Sequence, residues 1–125
     1  MSQSISHGDL VAALEGILGS KNVTDSEHAR WSYAISEAWS TVCPGLTDDL
    51  YLDLSPPDVI VKPKTTKQIV EIVKLANKYK IPLIPRGGGT GNASGSAALS
   101  NGGILIDMLD MNKFIKYDPV SRACR

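Results

Sequence analysis

Residues 85–97 read PRGGGTGNASGSA, a run with five glycines: Gly87, Gly88, Gly89, Gly91 and Gly95. Thr90, Asn92, Ser94 and Ser96 lie between and beyond them. Short apolar runs flank this segment, IPLIP at 81–85 and GILID at 103–107. Glycine lacks a Cβ, so its backbone reaches conformations closed to other residues and admits a ligand close to the main chain. Successive N–H groups in such a loop can converge into an anion-binding nest. The hydroxyls of Thr90 and Ser94 offer further donors, and Arg86 brings a fixed positive charge to the loop's entrance. Many donors, little bulk and some positive charge are what a diphosphate requires. A flexible, solvated Gly/Ser connection has the same composition. The position between two apolar strands of one compact domain favours a working loop over a linker.

Two familiar phosphate loops do not fit. The Walker A pattern needs Gly-Lys-Ser/Thr, and no lysine occurs between Lys80 and Lys113. In the dinucleotide fingerprint GxGxxG/A, the third position falls on Asn92 or Ser94, and no amphipathic helix follows the loop.

The surroundings predict a strand–helix–strand unit. Residues 58–62 (DVIVK) are short and β-branched, a strand that Pro63 ends. Thr65 then opens a helix with Gln68 three residues on, the pattern of a capping box. Ile69, Ile72, Val73 and Ala76 are expected to form its apolar face. Lys74, Lys78 and Lys80 crowd its C-terminal end, where the helix dipole favours cations. Residues 81–85 and 103–107 give two more strands, with Pro82 better suited to the start of its strand than to the middle. Strands joined through a helix are expected to be parallel. The fold class expected is α+β with an α/β-like βαβ unit: a small parallel sheet with flanking helices, forming an incomplete domain.

Upstream, residues 7–42 read as helical. Leu10, Leu14, Ile17 and Leu18 recur at helix spacing, with Asp9 as the expected N-cap and Gly19 as the stop. Thr24 and Asp25 are expected to start a second helix carrying Trp31, Ala34, Ile35 and Ala38. Residues 43–57 form a connector punctuated by Pro44-Gly45 and Pro56-Pro57. The division expected is a helical N-terminal region with connector at 1–55 and the strand-bearing lobe at 56–125.

Formal net charge is zero, so electrostatics predict no nucleic-acid or anionic-membrane partner. No stretch reaches the roughly 18–20 apolar residues of a membrane span. The N-terminus lacks the basic and apolar regions of a secretory signal, and a cytoplasmic location is expected. Cys43 and Cys124 show no metal-ligand spacing, and His7 and His28 lie far apart, so no metal site is expected. Both thiols read as free and structural. Trp31, Tyr33 and Trp39 read as core or interface aromatics, with a ligand-lining role as the alternative. Asp107 and Asp110 read as strand-end and turn residues or as a carboxylate pair, Lys62, Lys64 and Lys67 as a solvated face, and His28 as exposed.

The ordered series PDVIVKP, helix, IPLIPRGGGTG and ILIDM resembles the N-terminal FAD-binding lobe of the vanillyl-alcohol oxidase / p-cresol methylhydroxylase superfamily. Within it, the sequence is most similar to the branch holding the glycolate oxidase flavoprotein subunit and FAD-linked D-lactate dehydrogenase. The resemblance covers roughly residues 20–122, and the segment 57–110 carries nearly all of it. It implies that backbone amides of the loop hold the FAD pyrophosphate. Carried onto this chain, that implicates Arg86, Gly87, Gly88, Gly89, Thr90 and Gly91, with Ser94 and Gly95 in the loop's second half and Pro85 leading in. Asn92 and Ser96 depart from the branch, which commonly has a bulky apolar residue and a glycine there. No histidine lies in the loop, so the FAD is expected to be non-covalent.

Family members are several times longer. A second lobe completes their FAD site, and a cap domain supplies substrate-binding and catalytic residues. The expectation is therefore a fragment of an enzyme that oxidises a small 2-hydroxy acid, D-lactate or glycolate in type, by hydride transfer to flavin. Its catalytic residues lie outside this chain. Its partners are FAD and the remainder of the flavoprotein or a partner subunit. A truncated face would expose apolar surface and favour homo-oligomerisation. The alternatives are a non-catalytic diphosphate-binding module and a lobe that depends on a partner for stability.

Overall fold

A computed structural model describes residues 4–34, 56–90 and 102–124. Helix α1 spans His7–Leu18 and buries Leu10, Leu14 and Leu18, a spacing of four that keeps them on one stripe. Its N-cap is Ser6, not Asp9. The Ser6 backbone is extended, and its hydroxyl oxygen accepts the Asp9 N–H at 3.2 Å. Asp9 sits inside the first turn, where its carboxylate complements the helix dipole. Gly19 ends the helix as expected, its N–H donating to Glu15 O at 2.8 Å.

A 3₁₀ turn, Ser20–Asn22, follows. The expected helix start at Thr24 is then replaced by a two-residue strand, β1 (Val23–Thr24), and helix α2 begins later, at Glu27–Ala34. A strand of two residues has no period to read, so nothing in the local pattern announces it. Trp31 on α2 is 48% exposed, whereas Ala34 is buried. Ile35, Ala38, Trp39, Cys43 and the connector through residue 55 lie outside the described residues.

Strand β2 (Val59–Val61) is buried at all three positions. Helix α3 (Thr66–Tyr79) opens on the expected capping box: Thr65 Oγ1 accepts the Gln68 N–H at 3.3 Å, and Gln68 Oε1 accepts the Thr65 N–H at 3.2 Å. Its buried face is rotated from the expected one. Ile72 and Ala76 are buried and Leu75 is half-buried against the core, but Val73 is 36% exposed. At 100° per residue, Leu75 and Ala76 flank the stripe that Ile72 starts, while Val73 turns away from it. Strands β3 (Leu83–Arg86) and β4 (Ile104–Asp107) follow, with Pro82 just before β3.

The sheet order is β1-β2-β4-β3. β2 and β3 are parallel to β4, and β1 runs antiparallel to β2. The strand–helix–strand unit is thus split: β2 and β3 are parallel but not neighbours, because β4 inserts between them. β4 becomes the central strand and is buried at all four positions. Side chains alternate across it. Val59, Val61, Ile104 and Ile106 face α1 and α3, forming the larger core with Leu14, Ile72 and Ala76. Ile60, Ile84 and Leu105 face the other way, against Ala29 and Tyr33 of α2. Helices on both faces account for strands that are apolar throughout.

The amino ends of the parallel strands are clamped. Asp58 Oδ2 accepts the Gly103 N–H at 2.7 Å, and Ile104 N–H donates to Pro82 O at 2.9 Å. Gly103 has φ +108, and a Cβ there would lie 2.9 Å from Pro82 O, so the close strand start requires glycine. Beyond β4, a small hairpin pairs β5 (Tyr117–Asp118) with β6 (Ala123–Cys124). Asp118 closes its turn by accepting from Val120 N at 3.0 Å and from the Ser121 hydroxyl at 2.8 Å. These bonds, the Ser121 hydroxyl foremost, hold the Asp118 carboxyl below its ordinary pKa.

Candidate functional site

The carboxyl ends of the parallel strands converge on one edge of the sheet, the place where open α/β sheets take ligands. Arg86 is the last residue of β3, and Asp107 is the last of β4. The two are direct register partners. Lys62 follows the last residue of β2. Alternation places Ile84 with Arg86, and Leu105 with Asp107, on the face that α2 covers. Tyr33 of α2 reaches over both.

Asp107 is 1% exposed, the one buried charged side chain among the described residues. Its Oδ2 accepts the Tyr33 hydroxyl at 2.6 Å and lies 3.7 Å from Lys62 Nζ. Its Oδ1 accepts the Leu109 N–H at 3.0 Å. A buried carboxylate needs such partners, because removal from water costs several kcal/mol if uncompensated, on the order of the penalty for an unpaired buried charge. Burial first, and then the bond to Asp107, raise the Tyr33 phenol above its ordinary pKa, with Lys62 acting in the opposite sense. Tyr33 in turn meets Arg86. The guanidinium carbon stands 5.3 Å from the Tyr33 ring centroid, and Nη1 donates to Tyr33 O at 3.3 Å.

The glycine turn springs directly from Arg86. Gly87 and Gly88 are exposed, and among the described residues a Cβ on either would meet little: nothing within 4 Å at Gly87, and only Thr90 Cγ2 at 3.9 Å for Gly88. Gly89 differs. It is buried, has φ +76, and a Cβ there would lie 2.5 Å from Arg86 Nη2. The turn therefore folds back onto the arginine that begins it. The open side, at Gly87 and Gly88, faces solvent with its backbone accessible. Thr90 is exposed at the end of the described turn, and Pro85 is exposed on β3. Gly91, Asn92, Ser94, Gly95 and Ser96 lie outside the described residues.

The structure thus brings together Pro85 to Thr90 from the sequence-expected set. It adds Tyr33, Asp107 and Lys62, for which the sequence alone suggests a core, interface or ligand-lining aromatic, a strand-end acid or carboxylate-pair member, and a solvated lysine. Asp110 does not join Asp107 as a carboxylate pair: it is exposed in the following turn. A separate cleft of about 360 Å³ is lined by Lys64, Thr65, Asp110, Met111, Lys113 and Ile115, and does not include the glycine turn. His28 is exposed, and His7 Nε2 lies 3.0 Å from Asp25 Oδ2, both at the surface. Cys124 is a free, exposed thiol. Among the described residues no group of three or more His, Cys, Asp or Glu side chains is placed to hold a metal, and no helix is long and apolar enough to cross a membrane.

The chain is 39% identical over 62 residues to a D-lactate dehydrogenase of Anaerostipes hadrus, covering 50% of this chain and 13% of the relative. It is 31% identical over 64 residues to the glycolate oxidase subunit GlcD of Bacillus subtilis, covering 51% and 13%. It therefore spans less than a fifth of the length of these relatives. Among solved structures, an alkyldihydroxyacetonephosphate synthase matches with a TM-score of 0.72 and 23% identity, over 92% of this chain and 23% of that one. A p-cresol methylhydroxylase with substrate bound matches with a TM-score of 0.66 and 22% identity, over 90% of this chain and 20% of that one. These likenesses establish the fold as the α+β arrangement expected from the sequence. Residues 57–125, more than half of the chain, match the model of a family described as FAD binding domain, and the chain belongs to that family.

Proposed function

We propose that this chain provides the diphosphate-binding strand end of an FAD-dependent oxidoreductase that oxidises a small 2-hydroxy acid, D-lactate or glycolate in type. The observation that carries the reading is the turn at Gly87 to Thr90. Its outer glycines leave the backbone open, and a guanidinium is fixed at its root. The residues present fit the group. A diphosphate needs donors without bulk and a nearby cation. Gly87, Gly88 and Thr90 supply the first, and Arg86 the second; Gly91, Ser94 and Gly95 are proposed to extend the same cradle. The FAD would be held without a covalent bond, since no histidine lies between residues 85 and 97.

When bound, the flavin supplies the hydride acceptor for oxidation of the hydroxyl-bearing carbon. This chain's own part is to hold and orient the cofactor's diphosphate. The substrate class rests on the names of the relatives.

The test is a titration of the 125-residue chain with FAD, following flavin fluorescence and thermal stability together. The reading expects saturable binding that raises Tm and is competed by ADP but not by riboflavin. Competition by riboflavin alone, or no rise in Tm at saturating FAD, contradicts it.

A second reading is favoured by a specific surface. Phe114 is 84% exposed and Val120 92%, with Ile115 and Tyr117 also largely exposed nearby. So much apolar area in one segment is expected to be covered, either by the remainder of a larger flavoprotein or by a second copy. In that case the lobe binds FAD only when so covered.

A further inference from the structure

Asp107 is buried, charged and tied to Tyr33, yet the diphosphate reading gives neither residue a task. The bond between them spans 74 residues of sequence and joins α2 to the end of β4. Its consequence lies one contact further on. The Tyr33 ring carries the Arg86 guanidinium on its face, and the Tyr33 carbonyl accepts from Nη1. That guanidinium fills the space where Gly89 would otherwise have a side chain.

We propose that Tyr33, anchored by Asp107, is a positioning residue for Arg86, fixing the guanidinium beneath the glycine turn so that the anion site is formed before its ligand arrives. Arginine carries about 2 kcal/mol of rotamer entropy. Each contact that holds this long side chain before binding, the Tyr33 ring and carbonyl among them, lessens the freedom it must give up when the ligand arrives. Fixing it beforehand removes this cost from the binding step. Asp107 is suited to the anchor role because its remaining oxygen is held by the Leu109 N–H and its charge is balanced by Lys62. The phenol–carboxylate bond is short and charge-assisted, the kind that holds geometry most firmly. The cluster of Lys62, Arg86 and Asp107 keeps a net positive charge at the strand ends.

The anion end of this inference rests on the diphosphate reading above, so its test has a part that needs no ligand. The Arg86 Nε–Hε signal is followed by ¹⁵N NMR, with Arg86→Gln identifying it by its disappearance. A guanidinium held over an aromatic ring is displaced from the position of exposed arginines. Tyr33→Phe keeps the ring and removes only the anchor. It is expected to move the Arg86 signal toward the exposed position and broaden it. Asp107→Asn keeps a neutral acceptor and is expected to move the signal less, in the same direction; it carries the test alone if Tyr33→Phe does not fold.

With ADP as the diphosphate probe, Tyr33→Phe should weaken binding about ten-fold, the scale of one hydrogen bond to a charged group. In the Arg86→Gln background the same change should cost nothing further. A merely structural role would lower Tm without moving the Arg86 signal, and would add to the Arg86→Gln loss. An unmoved Arg86 signal, or additive losses, overturns the proposal. A signal that moves in a protein that binds no ADP supports the positioning and removes the diphosphate reading instead.

Discussion

Three adjacent glycines in one turn are not equivalent. Gly87 and Gly88 have room for a side chain, whereas Gly89 has positive φ and the Arg86 guanidinium against it. Gly89→Ala is therefore expected to destabilise the protein by about 1–3 kcal/mol, the range for an L-residue forced into a sparsely populated backbone region. Thermal melts check this, and an unchanged Tm contradicts the described turn. Tyr33 gives a pH signature. Its folded pKa lies above the ordinary 10.0, so the folded state holds the phenolic proton more tightly than the unfolded state does. That contribution to stability is complete below pH 10 and is lost as the pH rises through the folded value. Tyr33→Phe should flatten the alkaline limb of Tm against pH, and a limb like that of the wild type would count against the described Tyr33 environment. The glycines and Arg86 are legible in the sequence because their chemistry is local. Tyr33 is not, since its partner lies 74 residues away and no periodicity links an aromatic on α2 to the end of β4.

Elements were legible where local signals agree. Thr65 and Gln68 announce the start of α3 by reciprocal capping, and the structure forms both bonds. Thr65→Ala is expected to cost about 1 kcal/mol, with Thr65→Ser close to the wild type. Chemical denaturation measures both, and equal stability of all three proteins would show the cap to be idle. At the other end of the same helix, Lys80 takes the left-handed conformation that glycine usually fills, and the Ile81 N–H closes the last turn on Ala76 O. Two features escaped local reading for different reasons. β1 is too short to carry a pattern. The place of β4 between β2 and β3 is a matter of sheet order, which strand composition does not encode. The displaced cap at α1 is a smaller case: Ser6 and Asp9 are both good N-cap residues, and only the backbone angles decide between them.

At the scale of the whole molecule, the sheet has an uneven cover. α1 and α3 bury the larger core, while α2 covers a smaller one that ends on Tyr33 and the strand ends. The amino ends of the parallel strands are tied by Asp58, Pro82 and Gly103, and the carboxyl ends carry Arg86 and Asp107. The segment carrying Phe114, Ile115, Tyr117 and Val120 presents apolar side chains to solvent. Sedimentation velocity on the 125-residue chain should show concentration-dependent self-association, reduced by Phe114→Ser. A strictly monomeric protein at every concentration would contradict an interface between copies.

The central claim, that the turn at Gly87 to Thr90 receives the diphosphate of FAD, is tested most directly at Gly88. Among the described residues a Cβ there meets only Thr90 Cγ2 at 3.9 Å, so Gly88→Val should fold with a Tm near that of the wild type while filling the space before the turn's backbone. FAD titration of the two proteins side by side is the measurement. The account predicts that Gly88→Val keeps its fold and loses FAD binding by at least about a hundred-fold, on the scale of 2.8 kcal/mol. Wild-type affinity in a folded Gly88→Val protein would place the diphosphate elsewhere and contradict it.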